Sequence, residues 1–327
     1  MTPSPRDPSL TVVGLGHRYG RRVALEDLAL SVPAGAMVGL LGPNGSGKST
    51  ALAMLAGVLP IQRGAATWRG RDGVDHAAGS LGYRARLGVV FQRPSLDAKL
   101  TAQQNLMLAA RMHGIGGRVA RERAAELLAW AGLTERAKDA VGTFSGGMAR
   151  RLEIARALVH EPELVLLDEP TSGLDAASFE RTWSLLGGLR RTHGVAVVLA
   201  THRPEEGALC DQLVVLDEGK VVRVDSPEAL TKELAEDVVV LEGSDAEALA
   251  TEVRAQFGLD ARVDPQTGAV HVECARGHEV IVRLVEGLPK GRLEAVSLRR
   301  PSLADAFLKL TGRSLADDPT PIGREAA

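Results

Sequence analysis

The chain has 327 residues, 45% of them hydrophobic and 24% charged, with a formal net charge of −2. It is long enough for two domains with their own cores. So balanced a charge excludes a global basic field that would recruit nucleic acid or anionic lipid, and local pairs such as Arg21 with Arg22 and Arg150 with Arg151 read as solvated faces.

Residues 1–9 are polar and Pro-rich, which reads as a disordered tail and not as a signal peptide. From there to about residue 225, short β-branched runs alternate with helical patterns. This predicts an α/β domain over 10–226 with a largely parallel sheet. The strand candidates are 37–41, 87–91, 164–167, 195–200 and 212–216. The helix candidates are 49–56, 118–131, 146–159 and 176–192. Glycines in 114–117 separate two helical segments. After Ser226 and Pro227 the rhythm changes. Strands are expected at 237–241, 261–263, 269–274 and 292–298, with helices at 245–257 and 279–288. The order β-α-β-β-α-β is that of a ferredoxin-like unit, so 227–312 reads as a small α+β accessory domain. A last helix at 302–310 would be capped by Ser302. Residues 313–327 read as a second disordered tail. No apolar run approaches the 18 or so residues of a membrane helix, so the chain is expected to be soluble, with any membrane role supplied by a partner. Cys210 and Cys274 lack metal-ligand spacing and suggest a reducing compartment.

Three motifs carry chemistry. The stretch Gly42, Pro43, Asn44, Gly45, Ser46, Gly47, Lys48, Ser49, Thr50 matches G-x-x-x-x-G-K-[ST], the phosphate-cradling P-loop. An apolar run precedes it and a helical pattern follows, the strand-to-helix context the motif requires. Backbone N–H groups would face one anion, Lys48 would bridge the β- and γ-phosphates, and the Ser49 hydroxyl would ligate Mg²⁺. Downstream, four apolar residues end in Asp168 and Glu169. That strand would place both acids at the carboxyl edge of the sheet, with Asp168 holding Mg²⁺ and Glu169 acting as general base on the attacking water. Third, Ser145 followed by Gly146 and Gly147 starts a helix with bare N–H groups. It reads either as a second anion site or as a plain helix cap.

These residues, with Tyr19, Gln92, the run from Ser172 to Asp175 and His202 in the same order, resemble the ATP-binding-cassette family of transport ATPases over roughly 10–225. The resemblance implies a P-loop NTPase fold, with ATP and Mg²⁺ as ligands. It implies that Tyr19 stacks on adenine and that Gln92 touches Mg²⁺ and the attacking water. His202 would hydrogen-bond the γ-phosphate. It also implies a head-to-tail homodimer in which Ser145, Gly146, Gly147 and Asp175 serve the other copy's nucleotide. Met148, Phe144 and the pair Arg203 and Pro204 depart from the common pattern, none of them at a phosphate contact. The segment 300–312 is similar to the ending of daunorubicin-resistance exporter ATPases. That implies an integral-membrane permease of the ABC-2 type as partner, no nucleic acid, and a place on the cytoplasmic face of a bacterial plasma membrane. The alternative is a soluble cassette ATPase acting on nucleic acid or the ribosome. Such proteins usually carry two cassettes or a long inserted coiled coil, and this chain shows neither.

Overall fold

The computed structural model describes residues 9–234, 237–264, 267–289 and 291–315. Of the tails expected at 1–9 and 313–327, residues 1–8 and 316–327 lie outside the described residues; Ser9 opens the first strand, and Leu315 is buried. The chain divides into two compact units, with Pro227–Ser314 forming the second.

In chain order the first unit runs β1 (Ser9–Tyr19), β2 (Arg22–Pro33), β3 (Met37–Leu41), α1 (Lys48–Leu55), β4 (Arg63–Arg69), β5 (Asp75–Ala77), α2 (Leu81–Arg84), β6 (Leu87–Val90), α3 (Ala102–Met112) and α4 (Gly117–Trp130). It continues with α5 (Gly146–Ala157), β7 (Leu164–Asp168), α6 (Ala176–His193), β8 (Ala196–Thr201), α7 (Pro204–Gly207), β9 (Gln212–Asp217) and β10 (Lys220–Asp225). Among the described residues its strands form one sheet in the order β5-β4-β1-β2-β10-β9-β3-β8-β7-β6. The half from β9 to β6 is parallel, as expected. The other half is not: β5-β4-β1-β2 and the β10-β9 pair are antiparallel. The reason is in the side chains. β3 and β8 are buried along their whole length, the mark of a strand covered on both faces. β10 alternates between exposed and half-buried residues, and β1 alternates over Leu10–Val13, the pattern of strands with one open face. Leu40, Leu166, Val198 and Val214 are fully buried in the shared core with Leu52 and Leu55 of α1. Each such side chain contributes roughly 1.5–3 kcal/mol.

The second unit runs α8 (Pro227–Leu234), β11 (Asp237–Glu242), α9 (Ala246–Phe257), β12 (Ala261–Val263), β13 (Val270–Cys274), α10 (Gly277–Gly287), β14 (Ala295–Arg299) and α11 (Leu303–Thr311). Its sheet order is β12-β13-β11-β14, with antiparallel neighbours throughout. β11 and β12, joined through α9, are thus split by β13, which is the ferredoxin-like arrangement. Val239, Leu241, Val270 and Val272 pack against Leu249 and Val253 of α9 and Val280 and Leu284 of α10. Ser302 caps α11, and Asp305 returns a hydrogen bond to its backbone, a complete capping box.

Candidate active site

The register of the parallel strands builds the site. Leu41 of β3 lies beside Thr201 of β8, Asp168 of β7 beside Ala200, and Val90 of β6 beside Leu167. The chain leaving these strands therefore delivers Gly42, His202, Glu169 and Gln92 to one edge. This carboxyl edge is where open α/β sheets bind ligands.

Two glycines make the P-loop turn possible. A Cβ on Gly42 would stand 2.2 Å from the Leu216 carbonyl oxygen. Gly47, the N-cap of α1, has φ 102°, and a Cβ there would stand 2.5 Å from the Ala24 carbonyl oxygen. Only glycine fits such positions. The loop residues Asn44, Gly45, Gly47, Lys48, Ser49 and Thr50 line a cleft of about 260 Å³ with Tyr19, Arg22, Ala24, Gln92 and Glu169. Pro43 and Ser46 shape the loop from beneath: Ser46 N–H donates to the Pro43 carbonyl at 3.2 Å. The Ser46 hydroxyl is buried and has no partner among the described residues.

Lys48 is 5% exposed. Its Nζ donates to the carbonyls of Gly42 and Pro43, each at 2.7 Å. Burial pushes its pKa down to about 8, against the opposing pull of Glu169 and Asp168. Asp168 ends β7, and Ser49 Oγ donates to its Oδ1 at 3.4 Å. Burial raises the Asp168 carboxyl above the usual range; Glu169 adds to this, and the Ser49 bond and Lys48 oppose it. Two hard oxygen donors from protein, with the rest of the shell left to water and phosphate, suit Mg²⁺.

Glu169 is the centre of the arrangement. Its side chain is 11% exposed and both carboxylate oxygens are held. Gln92 Nε2 donates to Oε2 at 2.8 Å, and His202 Nδ1 meets Oε1 at 2.8 Å. Its backbone has φ 46°, an uncommon conformation for a residue with a Cβ. Tyr19 closes the far side of the cleft at the end of β1, 51% exposed and edge-on to His17 with ring centroids 4.6 Å apart.

The remaining predicted residues form a second group. Ser145 caps α5 by accepting from Met148 N–H at 3.3 Å. Asp175 caps α6, accepting from Ser178 N–H at 2.9 Å and Ser178 Oγ at 3.0 Å. These bonds hold its carboxyl below the usual range. A Cβ on Gly147 would stand 2.3 Å from that same Ser178 hydroxyl, whereas Gly146 faces open space. Ser145, Gly146, Gly147 and Asp175 thus neighbour one another through Ser178 and are not among the residues lining the P-loop cleft.

Sequence reasoning misjudged one pair. Arg21 and Arg22 are exposed, as expected, and Arg22 also lines the cleft. Arg150 and Arg151 are not solvated: they are 8% and 7% exposed. Arg151 Nε donates to the Ala131 carbonyl at 3.0 Å, and Arg150 reaches four backbone carbonyls. The available signal was the run that follows: α5 is buried on nearly all sides from Gly147 to Ala157, so its arginines had to find internal acceptors.

Residues 25–172 match the family model described as ABC transporter. The Nod factor export ATP-binding protein I of Burkholderia orbicola is 38% identical, covering 92% of this chain and 96% of its own. The daunorubicin resistance ATP-binding protein DrrA3 of Streptomyces coeruleorubidus is 36% identical, covering 94% of this chain and 96% of its own. Among solved structures, a dimeric post-hydrolysis ATP-binding cassette bound to ADP and phosphate superposes with a TM-score of 0.58 at 29% identity, covering 66% of this chain and 98% of that one. Strand edge, P-loop cleft and full-length relatives agree: the chain belongs to the ATP-binding proteins of the ABC transporter family, and it is an ATP hydrolase.

Proposed function

We propose that this ATPase powers an exporter whose membrane-spanning permease, of the ABC-2 type, is a separate chain. The observation that carries the catalytic reading is Glu169, its carboxylate fixed between Gln92 and His202 at the mouth of the P-loop cleft. In this reading Tyr19 stacks on adenine. The N–H groups of residues 42–50 and Lys48 hold the β- and γ-phosphates. Ser49, Asp168 and Gln92 hold Mg²⁺, which when bound offsets the charge of the phosphate oxygens. Glu169 accepts a proton from the attacking water, and His202 hydrogen-bonds the γ-phosphate while keeping Glu169 oriented.

The second group supports a two-copy machine. Ser145, Gly146, Gly147 and Asp175 stand apart from their own cleft, so a head-to-tail partner would use them to complete its nucleotide site. ATP would then favour the closed dimer and hydrolysis would release it. Among the described residues, no helix is long and apolar enough to cross a membrane. The chain would act at the cytoplasmic face of a bacterial plasma membrane through its permease. Relatives named for Nod factor and for daunorubicin match 92% and 94% of this chain, which supports leaving cargo choice to the permease.

The test is capture of the Glu169→Gln protein from native membranes with ATP and Mg²⁺, followed by mass spectrometry. A co-purifying permease supports the reading. Ribosomal or DNA-bound proteins without a permease would replace it with the soluble cassette alternative.

A further inference from the structure

We propose that Arg150 and Arg203 are positioning residues that hold the Glu169 turn by its backbone. Four consecutive carbonyls, from Asp168 to Thr171, accept from these two guanidiniums. Arg150 Nη2 donates to the carbonyls of Asp168 at 2.7 Å and Glu169 at 3.1 Å, and its Nε donates to that of Pro170 at 2.8 Å. Arg203 Nη1 donates to the Thr171 carbonyl at 3.0 Å. Through Nη1, Arg150 also reaches the carbonyl of Phe91 at 2.7 Å, the residue before Gln92. One guanidinium therefore ties together the two backbones whose side chains meet in the Gln92–Glu169 hydrogen bond.

The turn needs such a clasp. β7 ends at Asp168, so the carbonyls of residues 169–171 have no place in the sheet ladder; those of Glu169 and Thr171 also accept from Ser172 N–H at 3.3 Å and Leu174 N–H at 3.2 Å, and that of Pro170 is met by Arg150. Pro170 and Thr171 are buried, and carbonyls there must find protein donors. Glu169 holds a left-handed φ that persists only where its surroundings impose it. Arginine suits the task because its five donors are fixed in one plane. The charge of Arg150 is balanced by Glu153 at 3.0 Å, and Glu153 in turn accepts from Ser95 N–H at 2.7 Å in the loop after Gln92. Arg203 is steadied over the Phe179 ring, 5.3 Å from its centroid. Glu206, from the same segment as Arg203, accepts from Thr171 N–H at 3.1 Å and from the Thr171 hydroxyl. Each polar group of Thr171 thereby has a partner in residues 203–206, and its carbonyl also accepts from Leu174 N–H at 3.2 Å.

The consequence is mechanical. Arg150 lies on the helix that begins at Ser145, Gly146 and Gly147, so a shift of that helix reaches the backbone of Glu169 directly. Arg203 follows His202, so the two groups that meet at Glu169 and His202 move as one piece. This inference rests on Glu169 acting as the base.

The experiment compares Arg203→Ala, Arg203→Lys, Arg150→Lys and Glu169→Gln in steady-state ATP hydrolysis, ATP binding and circular dichroism. Misplaced groups typically cost up to about 100-fold. Arg203→Ala should lower kcat about 10- to 100-fold, with the ATP Kd within about twofold of wild type and the fold intact. Arg203→Lys should recover most of the rate, because Arg203 serves a single carbonyl that an ammonium can reach. Arg150→Lys should stay low, because one ammonium cannot span Phe91 and residues 168–170. Wild-type kcat in Arg203→Ala overturns the proposal, and so does equal rescue by both lysines. Should Arg150→Lys fail to fold, the Arg203 pair decides alone. Wild-type turnover in Glu169→Gln would remove the base assignment and the proposal with it, an outcome distinct from failure of the arginines alone.

Discussion

In the first unit the side chains of Lys48, Arg150, Arg151, Glu153 and Glu206 are all buried; among the described residues of the second unit no charged side chain is. The second unit keeps its charges outside, in pairs such as Arg262 with Asp260 and Arg276 with Glu279. Its main core cluster is valine, leucine and alanine with Cys274, and Phe307 of α11 is buried as well. Burying an ion costs several kcal/mol unless partners offset it, and exposed pairs contribute about 0–1 kcal/mol. The two units therefore solve different problems. The first accepts costly internal charges, and three of them gather around the Glu169 turn: Arg150 on its carbonyls, Glu153 paired with Arg150, and Glu206 on Thr171. The second is held together by apolar packing and helix caps.

That contrast can be broken most sharply at Lys48. Replacing it with alanine should weaken ATP binding and lower turnover by about 10²–10³-fold or more, read by phosphate release. Near-normal turnover would mean that the buried lysine is structural. The opposite probe is Leu284→Ala in α10, where Leu284 is fully buried. It should cost the second unit about 2–5 kcal/mol in thermal or urea unfolding. ATP hydrolysis by the first unit should stay at the wild-type rate, because that unit has its own core. Loss of hydrolysis in that variant would show that the two units are one energetic whole.

A smaller effect sharpens the electrostatic side. Lys48 carries a pKa lowered to about 8, so above that pH the free protein holds it neutral. Phosphate favours the charged form and would draw the proton back. ATP affinity should fall as pH rises through 8, and binding at pH 8 should take up about half a proton. Calorimetry in buffers of different ionisation enthalpy measures this. No uptake would place the lysine away from the phosphates.

Motifs whose meaning lies in one contiguous stretch were legible. The P-loop glycines, the apolar run ending at Asp168 and Glu169, and the cap at Ser145 all rest on neighbours within about ten residues. The β-α-β-β-α-β order of the second unit was readable for the same reason. What escaped depends on distant partners. Arg150 is buried because it meets carbonyls 18 to 59 positions away, and adjacent arginines otherwise read as solvent-facing. The antiparallel half of the sheet escaped because β1 and β2 alternate like any half-buried strand. Their pairing is settled by the hairpin between Tyr19 and Arg22, which no helical crossover announces. The proximity of Gly147 to Asp175 through Ser178 was also invisible, since it joins the starts of two helices nearly thirty residues apart.

The most direct test of the account is the Glu169→Gln protein, assayed for phosphate release and for mass by light scattering with ATP and Mg²⁺. The account predicts turnover lower by about 10²–10⁴-fold and a stable species of twice the chain's mass, present with ATP and absent without it. Normal turnover, or a single copy at saturating ATP, would contradict it.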